Sequence, residues 1–226
     1  MSRPEQSFKY INLLLALNVT FLLVSDFTGA RIISVGHVGV SVTVLYFPFT
    51  YLIGDLLTEV YGYAESRRIV WLSMLCSVIG SAVAGTQLLA PAAAFFGADR
   101  AFQTVFRPGF TIAIAGLVAF FAGDICNSYV LAKMKIRNSG RHLWARLVVA
   151  TLVGEGVNTG LFYGIALRGV LPGRLLTGAI LMGWVIKVLV EVVMLPVTYR
   201  VVRLLKNLEN VDHYDRGTDF NPFIVG

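Results

Sequence analysis

The chain has 226 residues, of which 56% are hydrophobic and 14% charged, and its net charge is +6. A soluble domain is typically about 45–50% apolar and 25% charged, so this balance, with a mean hydropathy of +0.72, is shifted toward lipid. The length suits one compact membrane domain with short loops, not two domains. Cys76 and Cys126 both fall in apolar stretches, which excludes a disulfide-stapled secreted fold and makes each a small buried hydrophobe.

Arg3 and Lys9 precede an apolar run from Ile11 to Val24, the outline of a signal peptide. The run continues past signal-peptide length and further spans follow, so it is read as an uncleaved first helix. A spanning helix needs about 20 mostly apolar residues. Six stretches meet that need, roughly 10–30, 40–61, 69–90, 110–132, 144–167 and 178–204. Gly36-His37-Val38-Gly39 separates the first two, and Gly62 to Arg68 the next two. Pro91 opens a longer link that ends in Arg107-Pro108-Gly109. Lys133 to Arg141 forms a basic hairpin, and Arg168 with Pro172-Gly173-Arg174 a tight turn on the opposite side. Helices are expected because a spanning segment must satisfy its own backbone groups. A β-barrel would show alternating strands of about 10 residues.

The basic residues set the orientation. Arg3, Lys9, Arg67, Arg68, Lys133, Lys135, Arg137, Arg141, Arg146, Arg200, Arg203, Lys206 and Arg216 fall on one side of the membrane. Only Arg31, Arg100, Arg107, Arg168 and Arg174 fall on the other. The richer side is cytoplasmic by the positive-inside rule. The expected fold is therefore an all-α polytopic membrane protein with six transmembrane helices and both termini cytoplasmic. The transmembrane domain covers 1–206, and 207–226 forms a polar cytoplasmic tail. The positive charge is a topology signal, which removes the reason to expect nucleic acid as a partner.

Charges inside the spans carry the functional signal. Asp26, Asp55, Glu59, Asp124, Glu155 and Glu191 lie within them, together with Lys187. Each costs roughly 2.5–3.5 kcal/mol at a helix centre on insertion scales, so such residues face a cavity or a partner. Glu59, Asp124, Glu155 and Glu191 each stand eight or nine residues from a cytoplasmic Arg or Lys. At 1.5 Å per residue that places them roughly 12–14 Å inside the charge band, near the midplane. Asp55 and Lys187 lie one turn deeper, i,i+4 from Glu59 and Glu191, so Lys187 and Glu191 can pair within one helix. Asp26 sits near the outer end of the first helix, where water can reach it.

Two strings echo each other. Gly123-Asp124-Ile125-Cys126-Asn127 and Gly154-Glu155-Gly156-Val157-Asn158 both read G-[D/E]-x-x-N. The i,i+3 spacing stacks carboxylate and amide on one face, and glycine allows a neighbour's backbone to come close. On antiparallel helices the strings would oppose each other at one depth, as in the inverted repeats of transporters. The substrate-binding candidates are Asp55, Glu59, Asp124, Asn127, Glu155, Asn158, Lys187 and Glu191. No catalytic residue, cofactor or metal site is expected, since G-x-S-x-G, H-E-x-x-H and phosphate-cradling loops are missing. An intramembrane aspartyl protease using Asp55 and Asp124 is the nearest enzyme, but Gly54-Asp55 and Phe121-Ala122-Gly123-Asp124 fail its Tyr-Asp and Gly-x-Gly-Asp patterns.

Several words in the sequence carry a resemblance. Phe47-Pro48-Phe49-Thr50-Tyr51 with Asp55, and Thr58-Glu59-Val60-Tyr61-Gly62-Tyr63 with Ser66-Arg67-Arg68, resemble the second-helix signature of the queuosine precursor transporters, also called vitamin uptake transporters. The likeness continues through Gly123-Asp124, Asn127, Lys133-Met134-Lys135, Trp144, Arg146, Gly154-Glu155, Lys187, Glu191, Pro196 and Thr198-Tyr199. It ends in Asp212-His213-Tyr214-Asp215 and Thr218 to Phe223, and covers about 46–223. Asn158 departs from it, since an acidic residue is more usual there.

The resemblance implies a bacterial inner-membrane importer of 7-cyano-7-deazaguanine, or of its aminomethyl form, for tRNA modification. A guanine-like edge presents N1–H beside N2–H₂ and suits capture by Asp124 or Glu155. Asn127 and Asn158 suit the O6 or nitrile acceptor. Midplane carboxylates permit proton coupling. The alternative within this fold class is a substrate-capturing subunit of an energy-coupling-factor transporter, which needs an ATPase partner. The implied partners are a small 7-deazaguanine and the lipid bilayer, and six helices are compatible with a homodimer. The wording of the tail implies docking against the cytoplasmic mouth.

Overall fold

The computed structural model describes residues 8–29, 31–106, 109–167 and 172–224, apart from the side chains of 109–113. Arg3, Arg107 and Arg168 of the orientation argument lie outside them. In chain order come α1 (Ile11–Thr28), a hairpin of β1 (Ile32–Val35) and β2 (Val38–Ser41), and a 3₁₀ turn (Val42–Leu45). Then follow α2 (Pro48–Tyr61), α3 (Tyr63–Gln87), α4 (Asp99–Phe106), α5 (Gly109–Arg137), α6 (Leu143–Ala166) and α7 (Gly173–Glu209).

Helices α1, α3, α5, α6 and α7 are long and apolar enough to cross a bilayer. Their polarity is turned inside out relative to a soluble bundle. Leu75, Ile79 and Val83 on α3, and Leu181, Val185, Leu189 and Val193 on α7, are exposed. Asp55, Asp124, Glu155, Lys187 and Glu191 are buried. Lipid as solvent selects that arrangement, because apolar surface costs nothing there and polar groups must find partners inside. The chain is a mainly helical, multi-pass membrane protein.

The second predicted span, 40–61, is not one helix, so five helices of spanning length are found among the described residues and not six. Ser41 ends β2 and caps the 3₁₀ turn, its hydroxyl accepting from the Thr43 amide. Pro48, with no N–H to satisfy, starts a new helix. Gly62 ends it at φ 93°, a left-handed turn that only glycine adopts without strain, and α3 leaves in a new direction. The resulting α2 has 14 residues. At 1.5 Å per residue it is about 21 Å long, short of a core of about 30 Å. All of it except Phe49 is buried, enclosed by α1, α3, α5 and α7. A short helix is tolerated at membrane depth when protein, not lipid, covers its ends.

Two connections also differ from expectation. The stretch around Gly36-His37 is the turn of an antiparallel hairpin that pairs Val35 with Val38 and Ile32 with Ser41. Its β-branched Ile32, Ile33, Val35, Val38 and Val40 favour strand over helix, so the all-α expectation holds for the membrane helices and not for this connection. The link after Pro91 contains α4, where Gln103 donates to Asp99 at 2.7 Å across one turn.

Helices α5 and α6 make the closest packing in the bundle. A Cβ on Gly154 would lie 2.7 Å from the Asn127 Cβ and 2.8 Å from the Gly123 carbonyl oxygen. A Cβ on Gly123 would lie 2.7 Å from the Asn158 Cβ and 2.9 Å from the Gly154 carbonyl oxygen. The near-equality of these reciprocal distances shows that the two G-[D/E]-x-x-N strings face each other about a local twofold. Gly154→Ala is expected to destabilise the protein by about 1–3 kcal/mol through overpacking. Gly160→Ala, whose Cβ meets nothing within 4 Å, should be neutral or mildly stabilising. Thermal unfolding of the two variants in detergent separates these outcomes.

Candidate functional site

The facing strings place their polar groups in one interior layer. Lys187 of α7 reaches across to α6 and donates to Glu155 Oε2 and to Asn158 Oδ1, each at 2.8 Å. Its ammonium also lies 4.4 Å from the centroid of the Phe47 ring. The expected partner one turn along its own helix, Glu191, is not the one it uses. Glu191 is turned toward Asp55 of α2 instead. Asn127 donates to Asp55 Oδ1 at 2.7 Å.

Asp124 lies against the backbone of α2, with its Oδ1 3.0 Å from where a Gly54 Cβ would stand. That oxygen is buried and has no hydrogen-bond partner among the described residues. Tyr51 of α2 fills the notch between the two glycines and donates to the Gly154 carbonyl at 3.1 Å. Seven of the eight candidates, Asp55, Asp124, Asn127, Glu155, Asn158, Lys187 and Glu191, therefore form one buried layer. It holds four carboxylates against a single ammonium. An excess of acceptors with an unpartnered carboxylate is suited to a ligand or a proton that supplies donors.

Glu59 stands apart from that layer. Its Oε2 accepts from Arg146 and its Oε1 from Lys206, each at 2.7 Å, and Lys135 lies 3.6 Å from Oε1. Lys135 also donates to the Glu59 carbonyl at 2.6 Å and to Asp212 at 2.7 Å, and Lys206 is 2.8 Å from Asp212. Glu59 therefore sits among basic side chains, apart from the layer it was expected to share. The count from Glu59 to Arg67 crosses a break, since α2 ends at Gly62 and Arg67 lies on α3.

The tail closes this end of the bundle. Asp215 accepts from the Tyr63 amide at 3.0 and 3.1 Å and so caps α3 from a distance in sequence. Arg67 donates to the Asp219 and Asn221 carbonyls at 2.9 and 2.6 Å, and Trp71 to the Pro222 carbonyl at 2.9 Å. Lys133 lies 3.8 Å from the centroid of the Phe220 ring. Partial burial acts against charge on Asp212, but hydrogen bonds from Lys135 and Lys206 prevail and hold its carboxyl below the usual range.

One cavity reaches the polar layer from the hairpin end. Asn158 and Lys187 form its inner end, Phe47 and Phe162 its sides, and Asp26 and Thr43 stand toward the hairpin. About 340 Å³ of space, part of it open to solvent, lies between these side chains. Asp26 and Phe162 were not among the expected binding residues. Asp26 was visible as an acid within a span, whereas nothing in the spacing of Phe162 set it apart from lipid-facing aromatics.

Comparison with known proteins agrees with these features. A family model described as "Putative vitamin uptake transporter" matches residues 41–201. A Bacillus subtilis (strain 168) protein named "Probable queuosine precursor transporter" is 30% identical over 157 residues, covering 69% of this chain and 68% of that protein. No solved structure matches the chain. The matched region runs from the end of the hairpin to the last third of α7 and so contains the whole buried layer, and the chain belongs to the vitamin uptake transporter family.

Proposed function

We propose that this protein is a stand-alone secondary carrier that imports 7-cyano-7-deazaguanine, and also the aminomethyl form, across the bacterial inner membrane. The observation that carries this reading is Asp124: a buried carboxylate with an unpartnered oxygen, in the same polar layer as the Asn158 and Lys187 that edge the slot. A guanine-like base supplies what the layer lacks. Its N1–H and N2–H₂ form a pair of parallel donors for a carboxylate, and its O6 and nitrile accept from amide or ammonium. The name of the B. subtilis relative points to the same class of cargo. A proton bound by one of the buried carboxylates is the natural carrier for proton coupling, since releasing it changes the charge of the layer.

In this reading the basic end is cytoplasmic, and the second crossing is made by the 3₁₀ turn and α2 in series. That gives six crossings with both termini inside, and 207–226 docks as a tail on the domain of 1–206. A cysteine placed at His37 is expected to react with a membrane-impermeant maleimide in intact cells, while one at Asn210 reacts only after permeabilisation, in a background with Cys76 and Cys126 replaced by Ala. The opposite labelling pattern would invert the topology.

The transport reading is tested in cells that cannot make the precursor and contain no energy-coupling-factor module. The chain alone should restore accumulation of labelled 7-cyano-7-deazaguanine. Asp124→Asn, inserted at normal levels, should lower the rate roughly 10- to 100-fold, the worth of one or two charge-assisted hydrogen bonds. Uptake that depends on a co-expressed ATPase would sink the stand-alone carrier, and wild-type rates in the Asp124 variant would remove that residue from the site.

A further inference from the structure

The slot has two chemically different ends, and the transport reading above uses only the inner one. We propose that Asp26 is an outer recognition carboxylate, which takes the N1–H and N2–H₂ edge of a guanine-like base at the mouth of the slot before the base moves to the buried layer. The inference rests on that reading and adds an entry site to it.

Four observations support the assignment. Asp26 lines the same cavity as Asn158 and Lys187. Its Oδ2 accepts from the Ser77 hydroxyl of α3, which fixes the carboxylate from behind. The other oxygen lies beside α5, 3.1 Å from where a Gly116 Cβ would stand, so a side chain at that position would crowd it. No cation neutralises Asp26 among the described residues, because Lys187 is already held by Glu155.

The far end of the slot has the complementary polarity. Asn158 spends its Oδ1 on Lys187, which directs its amide N–H groups away from that bond. A carboxylate at one end and an amide donor at the other match a ring that carries donors at N1 and N2 on one edge and a nitrile acceptor across from them. The Phe47 and Phe162 side chains between them offer apolar surface to the flat faces of the ring. A site built to bond an N–H rejects an analogue that lacks it far more strongly than a merely apolar pocket does, because the carboxylate is left without its partner. Asp26 would thus set selectivity for the 2-amino group at entry.

Binding of labelled 7-cyano-7-deazaguanine to the full chain in nanodiscs tests this, with 7-cyano-7-deazahypoxanthine, which lacks the 2-amino group, as competitor. The wild-type protein should prefer the guanine form by roughly 10- to 100-fold, and Asp26→Asn should narrow that preference several-fold, the buried carboxylates keeping the remainder. Gly116→Ala provides a second route that leaves the carboxylate intact: its methyl crowds Oδ1, and affinity should fall roughly 10-fold with the fold retained. Absence of any deazaguanine binding to wild type would overturn the transport reading and this inference together. Unchanged affinity and unchanged 2-amino preference in both variants would overturn the inference alone.

Discussion

Glu155→Gln is expected to abolish import and to destabilise the protein, and the two losses can be separated. Glu155 is fully buried and Lys187 is 4% exposed. Removing the negative partner leaves Lys187 with only the Asn158 carbonyl and the face of Phe47. Breaking a buried pair from one side costs about 3–5 kcal/mol, mostly because the surviving charge is uncompensated. Replacing both members, Glu155→Gln with Lys187→Gln, removes the orphaned charge and should recover most of the lost stability. It should not recover transport, because the layer would then lack both the carboxylate and the cation that orients Asn158. Uptake normalised to inserted protein should fall roughly 100-fold in the single and the double variant alike. A double variant that transports as well as wild type would show that the pair is scaffold and not site.

Much of that layer was legible in the sequence, for a physical reason. The i,i+3 spacing of Asp124 with Asn127 and of Glu155 with Asn158 fixes a common helix face whatever the rest of the fold does. Glycine beside each acid then permits the close approach that the structure uses. What spacing could not give is which neighbour a long side chain chooses. Lys187 has Glu191 one turn away on α7, yet it reaches Glu155 on α6, because Glu191 is turned toward Asp55.

Residue counting is sound only along a single helix. Asp124, Glu155 and Glu191 each share one helix with the basic residue they are counted from. Glu59 does not, since α2 ends at Gly62 and Arg67 belongs to α3. Hydropathy could not show the break within 40–61 for a related reason. An apolar run of spanning length reports burial in something apolar, and here that surrounding is largely the protein itself. The tail's polar composition gave no sign of its packing, since many of its anchors are backbone carbonyls taken up by Arg67, Trp71 and Lys135, beside the Asp212 and Asp215 carboxylates.

Glu59→Gln is expected to be the most destabilising single substitution in the chain. Arg146 is wholly buried and Lys135 is 1% exposed, and both lie against this carboxylate together with Lys206. Without it, Lys135 and Lys206 share only Asp212, which is itself half open to solvent, and Arg146 keeps no acidic partner among the described residues. The loss should be about 3–5 kcal/mol, equivalent to a fall of roughly 10 °C in Tm for a chain of this length. The tail should loosen as well, since the cations that hold Asp212 would repel one another. Truncation after Asn210 gives the contrast. It removes Asp212 and the Asp215 cap of α3 but leaves Glu59 to neutralise Arg146, so its cost should be smaller, about 1–2 kcal/mol from the lost cap. Limited proteolysis would then cut near the α2–α3 turn in both variants, while only Glu59→Gln would show the large fall in Tm. If the truncated chain instead unfolds at the lower temperature, the tail and not the carboxylate holds this end together, and Glu59 becomes free to serve the transported solute.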